Sequence, residues 1–229
     1  MKKIVVFTGA GISAESGIST FRDANGLWEN HDIYEVATPE GWQRNPELVL
    51  RFYNARRRQL TEVRPNEAHY ALAQLEKRYE VHIVTQNVDD LHERAGSTRI
   101  LHLHGELLKA RSSVDPQWIV PCPGDIALGD RCIHGQQLRP HIVWFGESVP
   151  MMDPAMELAA QADIFIVVGT SLQVYPAAGL LQYVPRSAQG YLVDLNPAGG
   201  PETRRLRVIA EKASTGLARL VGELLEQAG

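Results

Sequence analysis

At 229 residues, with 44% hydrophobic and 22% charged residues, the chain is long enough for one large domain, or one domain plus a small module, around an ordinary globular core. Its formal charge of −4 argues against non-specific nucleic-acid binding, and its two cysteines, Cys122 and Cys132, suit a reducing compartment better than a disulfide scaffold. No apolar run approaches the ~20 residues of a membrane span, and a strand pattern stands where a signal peptide would have its apolar region, so a cytoplasmic enzyme is expected.

Ile4-Val5-Val6-Phe7 is a short apolar run rich in β-branched residues and reads as a buried strand. Thr8-Gly9-Ala10-Gly11-Ile12-Ser13-Ala14 follows it. Gly9, Gly11 and Ala14 fit the spacing of a dinucleotide loop: one glycine for a tight turn, one for close backbone approach to a pyrophosphate, and a small residue for close helix packing. The helix N-terminus would offer free N–H groups to phosphate. A Gly-rich turn after a strand is common by itself. The acidic residue that holds the ribose about 20 positions on in simple Rossmann units is absent, and Gly17 to Asp23 continues as a polar loop.

After Arg22 the strand pattern stops. Thr38 and Pro39 read as the N-cap and first residue of a helix, residues 46–60 are helical by the spacing of Leu48, Phe52 and Ala55, and Asn66 caps a helix through Leu75. The run Arg56-Arg57-Arg58 reads as a basic solvated side of the second of these helices. The next strand, over 81–85, comes far later than one crossover needs, since a whole βαβ unit takes ~30 residues, so the intervening segment reads as an insertion. A third, shorter strand is expected over 100–104. Residues 105 to about 139 show no clear period and are broken by Pro116, Pro121, Pro123 and several glycines, which marks a second insertion. A helix over 153–161, strands over 164–168 and 191–195, and a closing helix over 214–227 complete the pattern. The expected fold is α/β. A Rossmann-like parallel sheet is built from 1–23, 65–104 and 140–229, and a small domain is formed by two insertions, 24–64 and 105–139. Five strand ends carry small, polar or titratable residues, and ligands bind just outside the carboxyl ends of parallel strands.

The blocks Gly9-Ala10-Gly11-Ile12-Ser13-Ala14-Glu15-Ser16-Gly17-Ile18-Ser19-Thr20-Phe21-Arg22, Thr85-Gln86-Asn87-Val88-Asp89-Asp90-Leu91-His92, His102-Leu103-His104-Gly105-Glu106, Pro140-His141-Ile142-Val143-Trp144-Phe145-Gly146-Glu147 and Gly169-Thr170-Ser171-Leu172 resemble, in order, the signature of the sirtuins, NAD-dependent protein-lysine deacylases. Ser19 departs from the family's usual proline. The resemblance implies a reaction that consumes NAD as co-substrate. The acyl oxygen of a modified lysine attacks ribose C1′, nicotinamide leaves, and the acyl group ends on the ribose as O-acyl-ADP-ribose. It implies His104 as the catalytic base toward a ribose hydroxyl, a role that an unperturbed histidine pKa of ~6.5 suits. His102 keeps a structural reading, assigned to the opposite face by strand alternation. Asn87, also catalytic, and Asp89 would hold the ribose and the nicotinamide amide, and Gln86 the ribose. Phe21 and Arg22 would cover the nicotinamide end, while Gly169, Thr170, Ser171 and Asn196 would line the adenosine side with Ala213 near the adenine. Val143, Phe145, Gly146 and Glu147 match a segment onto which the peptide adds as an extra strand, opposite a loop near Val174-Tyr175-Pro176.

Tyr53 and Arg56 lie three apart on one helix face and match the Tyr-x-x-Arg pair of sirtuins that take acidic acyl groups. A guanidinium and a phenol suit a succinyl or malonyl carboxylate. Acetyl-lysine is expected to be accepted as well. The family's two C-x-x-C pairs are not intact: Lys109 to Val114 stands where the first should be, and Cys122, Cys132 and His134 make three irregular candidates for a site that needs four ligands. No zinc is expected, with Trp118, Ile119 and Val120 packing in its place. The expected partners are NAD and acyl-lysine proteins or peptides, with no nucleic acid and no membrane, on a monomeric enzyme. An ADP-ribosyltransferase or NAD glycohydrolase, which shares the first chemical step, and a non-catalytic NAD-binding sensor are the alternative readings.

Overall fold

Apolar side chains on both faces of β1 (Lys3–Thr8) put that strand at the centre of the molecule. Ile4 and Val6 point into one core and Val5 and Phe7 into another, the period-two alternation of a strand covered on both sides. The structure, a computed structural model of the chain, describes residues 1–18, 27–28, 31–197, 199 and 203–228. β1 pairs in parallel with β4 (Glu80–Thr85) on one side and β9 (Ile164–Val168) on the other. With β5 (Ile100–His102), β10 (Gln189–Val193) and β11 (Arg207–Ile209) they form a parallel six-stranded sheet, β11-β10-β9-β1-β4-β5. Taken in chain order this is the doubly wound arrangement of dinucleotide-binding folds, and the order reverses beside β1, which opens a crevice at the carboxyl ends of β1 and β9.

Helices α5 (Glu67–Leu75) and α8 (Ala213–Gln227) cover one face of the sheet with Leu72, Leu75, Leu217, Leu220 and Leu224. Each such fully buried leucine contributes about 1.5–3 kcal/mol relative to an exposed one. Helix α7 (Met152–Ala160) and the 3-10 segment Ala177–Gln182 cover the other face. Asn66 caps α5 by accepting from the Ala68 N–H at 3.0 Å, as its position in the sequence implies. No helix among the described residues is long and apolar enough to cross a membrane.

The first insertion holds the short antiparallel pair β2 (Leu27–Trp28) and β3 (His31–Asp32), then α2 (Ile33–Val36), α3 (Pro39–Arg44) and α4 (Pro46–Glu62). The second, which showed no period, contains β6 (Gly105–Ser112) and β7 (Ile119–Pro121), which form an antiparallel sheet in the order β7-β6-β8 with β8 (Leu138–Ile142), a strand that runs past the expected boundary at 139. The first insertion packs against the second and against the segment that follows it: Val49, Phe52, Tyr53 and Leu60 of α4 meet Leu107, and beyond residue 139 they meet Ile142 and Trp144.

Two expectations about this region are corrected. Arg57 is not part of a solvated basic side; it is 1% exposed. Its Nε donates to the Leu107 carbonyl at 2.9 Å and its Nη1 to Asn54 Oδ1 at 2.7 Å, so it ties α4 to β6. Of Trp118, Ile119 and Val120, only Val120 joins the small cluster of Leu50, Ala110 and Ile126, and Ile119 is 41% exposed.

Candidate active site

A cleft of about 280 Å³ lies at the switch point of the sheet, between the ends of β1, β4 and β9 and the loop after β8. Its walls include Gly9, Ala10, Gln86, Asn87, Asp89 and His104, and beside them Gly169, Thr170 and Ser171. Tyr53, Val143, Phe145, Gly146 and Glu147 line it as well, together with Val174, Tyr175 and Pro176. The structure thus brings together most of the residues singled out from the sequence. Arg56 lines a smaller adjoining pocket that shares Tyr53 and Asp89 with the main cleft. Phe21, Arg22 and Ser19 lie outside the described residues.

Four positions stand differently from expectation. Ala14 is exposed at the end of α1 (Gly11–Ala14), so it does not mediate close helix packing. That approach falls instead on Gly11, where a Cβ would sit 2.7 Å from Gly169 Cα. Neither Gly11 nor Ala14 borders the cleft. Asn196 is exposed, and Ala213 is buried in the first turn of α8; both lie outside the cleft wall. The amide donors expected at this helix start are also mostly spent: Gly9 N–H goes to Val168 O at 3.0 Å, Gly11 N–H to Gly169 O at 2.8 Å, and Ile12 N–H to Gly9 O at 3.1 Å. Ala10 N–H alone in Gly9–Ile12 has no backbone acceptor among the described residues.

His102, the last residue of β5, and His104 just beyond it are fixed by consecutive carbonyls. His104 Nδ1 bonds to Gln86 O at 3.1 Å and His102 Nδ1 to Asn87 O at 3.0 Å. A carbonyl only accepts, so each Nδ1 carries the proton and, in a neutral ring, Nε2 is the basic nitrogen. His102 spends its Nε2 on Glu93 Oε1 at 2.7 Å. Burial opposes charge on His102, but the Glu93 carboxylate outweighs it and lifts its pKa. His104 has no such partner, and burial lowers its pKa below 6.5, keeping Nε2 unprotonated at neutral pH. Strand alternation cannot separate these two residues, because positions two apart share a face. The strand ends at His102, and the chain turns before His104. Gly105 enables that turn with φ +83; a Cβ there would run into the His141 carbonyl oxygen.

Asn87 and Asp89 are buried and share one hydroxyl. Asn87 Nδ2 donates to Ser13 Oγ at 3.1 Å and to Gly9 O at 3.2 Å, while Ser13 Oγ donates to Asp89 Oδ2 at 2.9 Å. Burial pushes the Asp89 pKa up to about 6, against hydrogen bonds from Leu91 N–H and Ser13. Behind them, His92 Nε2 bonds to Thr8 Oγ1 at 3.1 Å, Thr8 donates to Thr85 Oγ1 at 2.8 Å, and Thr85 accepts from Asn87 N–H at 3.0 Å. Ser13, Thr8 and His92 lie inside quoted motifs, yet only the folded contacts reveal what they hold.

Val143 N–H donates to the His104 backbone carbonyl at 2.9 Å and Phe145 N–H to Ala37 O at 3.0 Å, which ties the loop after β8 to the backbone of His104 and to the first insertion. Glu147 is turned inward onto Arg139 and Arg111 rather than standing free toward a ligand. Among the described residues no three His, Cys, Asp or Glu side chains gather in a way that could hold a metal. Cys132 Sγ faces Gln136 Oε1 at 3.3 Å, Cys122 Sγ faces Gly124 O at 3.4 Å, and His134 is exposed, so these residues do not fit a tetrahedral site.

A doubly wound sheet with a polar switch-point cleft has the architecture of a dinucleotide-binding enzyme. The Sir2 family model matches residues 9–176. A protein from Helicobacter pylori named NAD-dependent protein deacylase is 56% identical over 228 residues, covering 100% of both chains. A Sir2 homologue solved in complex with NAD superposes with a TM-score of 0.90 at 37% identity, covering 100% of this chain and 91% of that one. A mutant Sir2 homologue in complex with 2′-O-acetyl ADP ribose gives 0.89 at 36% identity, covering 100% and 94%. The chain belongs to the Sir2 family.

Proposed function

We propose that this NAD-dependent protein deacylase removes both acetyl and succinyl or malonyl groups from lysine side chains, releasing nicotinamide and O-acyl-ADP-ribose. The observation that carries the reading is His104: its Nδ1 is tied to the Gln86 carbonyl and its ring borders the same cleft as Asn87 and Asp89. Nε2, basic at neutral pH, takes the proton from a ribose hydroxyl so that the hydroxyl oxygen can attack the acyl carbon, which is held at C1′ through its own oxygen. Asn87, oriented by Ser13 and the Gly9 carbonyl, and Asp89, oriented by Ser13, serve the ribose and the nicotinamide amide, with Gln86 on the ribose. Thr170 accepts from Gln86 Nε2 at 3.1 Å, which joins the ribose end of the site to the adenosine end formed with Gly169 and Ser171.

The acyl range rests on Tyr53 and Arg56, which border one small pocket. The Arg56 guanidinium is 4.8 Å from the centre of the Phe52 ring, and a carboxylate on the acyl chain would add a fork-like ionic contact that acetyl lacks. The peptide adds along Val143 to Gly146, with Glu147 holding that loop from behind. We assign NAD and the peptide to the boundary between the sheet-bearing domain (1–23, 65–104, 140–229) and the small domain (24–64, 105–139), and the enzyme acts as a monomer without structural zinc or nucleic acid.

Mass spectrometry of the products formed from NAD with acetyl- and succinyl-lysine peptides tests the reading. O-acyl-ADP-ribose from both substrates is expected, with Arg56→Met lowering the succinyl rate relative to the acetyl rate. ADP-ribosylated protein in place of free lysine would overturn it.

A further inference from the structure

The loop after β8 hangs on a buried ionic cluster. Glu147 accepts from Arg139 Nη1 at 2.8 Å and Nη2 at 3.1 Å, from Arg111 Nη2 at 2.9 Å, and from Trp144 N–H at 2.8 Å. Arg139 and Arg111 are 5% and 7% exposed, and Arg139 Nη2 also donates to Ile142 O at 3.0 Å. The Arg139 guanidinium lies 3.2 Å from the centre of the Trp144 ring. Trp144, 2% exposed, is therefore held through its backbone and its ring face. Its third tether is the indole: Nε1 donates to Tyr53 Oη at 3.0 Å.

An indole N–H is a donor only, so the Tyr53 oxygen is the acceptor and its hydrogen cannot point toward Trp144. Burial raises the Tyr53 pKa far above the usual phenol range, so the hydroxyl keeps that hydrogen. Tyr53 borders both the main cleft and the Arg56 pocket.

We propose that Trp144 is a positioning residue for acyl recognition: clamped by Arg139 and Glu147, its indole N–H sets the Tyr53 hydroxyl so that the phenolic hydrogen is directed away from the substrate loop and serves an acyl chain ending in a carboxylate. The inference rests on the reading of Tyr53 and Arg56 as the acyl pocket. Acetyl-lysine has no carboxylate to use this hydrogen, so the device acts on the choice between acyl groups.

The test is kcat/KM for succinyl and acetyl peptides on the parent, Trp144→Phe, Tyr53→Phe, Arg56→Met and the double variant Trp144→Phe/Tyr53→Phe. Phenylalanine keeps an aromatic face for Arg139 and removes the N–H. The succinyl-to-acetyl ratio is expected to fall roughly fivefold in Trp144→Phe, the order of one hydrogen bond, mainly through the succinyl KM. Tyr53→Phe should lower the ratio too, and the double variant should fall no further than Tyr53→Phe. An unchanged ratio in Trp144→Phe, or additive losses in the double variant, while Arg56→Met still lowers the ratio, overturns the positioning role and leaves the acyl pocket standing. An unchanged ratio in Arg56→Met overturns the pocket and this inference with it. If Trp144→Phe does not fold, Arg139→Gln, which takes the guanidinium off the ring, is read by the same ratio and the same outcomes.

Discussion

Lowering the pH from about 8 to about 5 should weaken NAD capture in step with one buried carboxyl group. Asp89 titrates at about 6, because burial raises its pKa more than the Leu91 and Ser13 hydrogen bonds and nearby His102 lower it, with Asp90 adding to the rise. Above that value it is a carboxylate that accepts from an amide N–H; below it, it carries a proton and loses much of that capacity. A group titrating near 6 is about 99% ionised at pH 8, about half at pH 6 and about a tenth at pH 5, so kcat/KM for NAD should fall about twofold and then about tenfold. His104 titrates below 6.5, so its protonation appears as a separate loss in kcat on the acid side. Initial rates at saturating peptide and limiting NAD measure the first effect, and Asp89→Asn, which cannot ionise, should lack the limb near pH 6. A kcat/KM for NAD that stays level down to pH 5 in the parent, or a limb that persists in Asp89→Asn, would refute the reasoning. Stability runs the other way: a carboxyl whose folded pKa of about 6 exceeds its ordinary 3.8 stabilises the fold below 3.8 and loses that contribution as pH rises through 6. The loss is at most about 3 kcal/mol.

Arg57→Leu should lower stability by about 1–3 kcal/mol, because it orphans the buried Leu107 carbonyl, while Asn54 Oδ1 keeps the Ile126 N–H. A urea midpoint that is unchanged or raised would show that relief of the buried charge outweighs the lost bonds. Metal analysis of protein purified without chelator should find substoichiometric zinc, since Cys122, Cys132 and His134 do not converge; one zinc per chain would overturn the metal-free reading.

The parallel sheet was legible where burial writes a continuous apolar run, as in Ile164 to Val168, all buried. It was not legible in β11, where Arg207 and Val208 are exposed and only Ile209 is buried, so no pattern announces a strand. The antiparallel sheet escaped for another reason: Ala110 pairs with both Val120 and Pro140, contacts whose register is set by chain closure over loops rather than by local periodicity. Most residues that line the cleft were readable because they cluster at strand ends within long motifs. Arg57 was misread because a charge on a helix is ordinarily solvated, and nothing local signals a carbonyl waiting on another element. Trp144 stood inside a quoted motif without a role, since a donor's importance depends on which oxygen it meets.

Where Gly11 meets Gly169, bare backbone touches bare backbone just past the carboxyl ends of β1 and β9. The turn after β1 is therefore seated on β9 by main-chain contacts, Gly9 N–H to Val168 O and Gly11 N–H to Gly169 O. An engineer seeking a different nucleotide preference would gain little by decorating either glycine, since any added carbon must push apart the start of α1 and the turn after β9. Gln86 and Thr170, whose side chains meet over that seam, offer the freer ground for redesign.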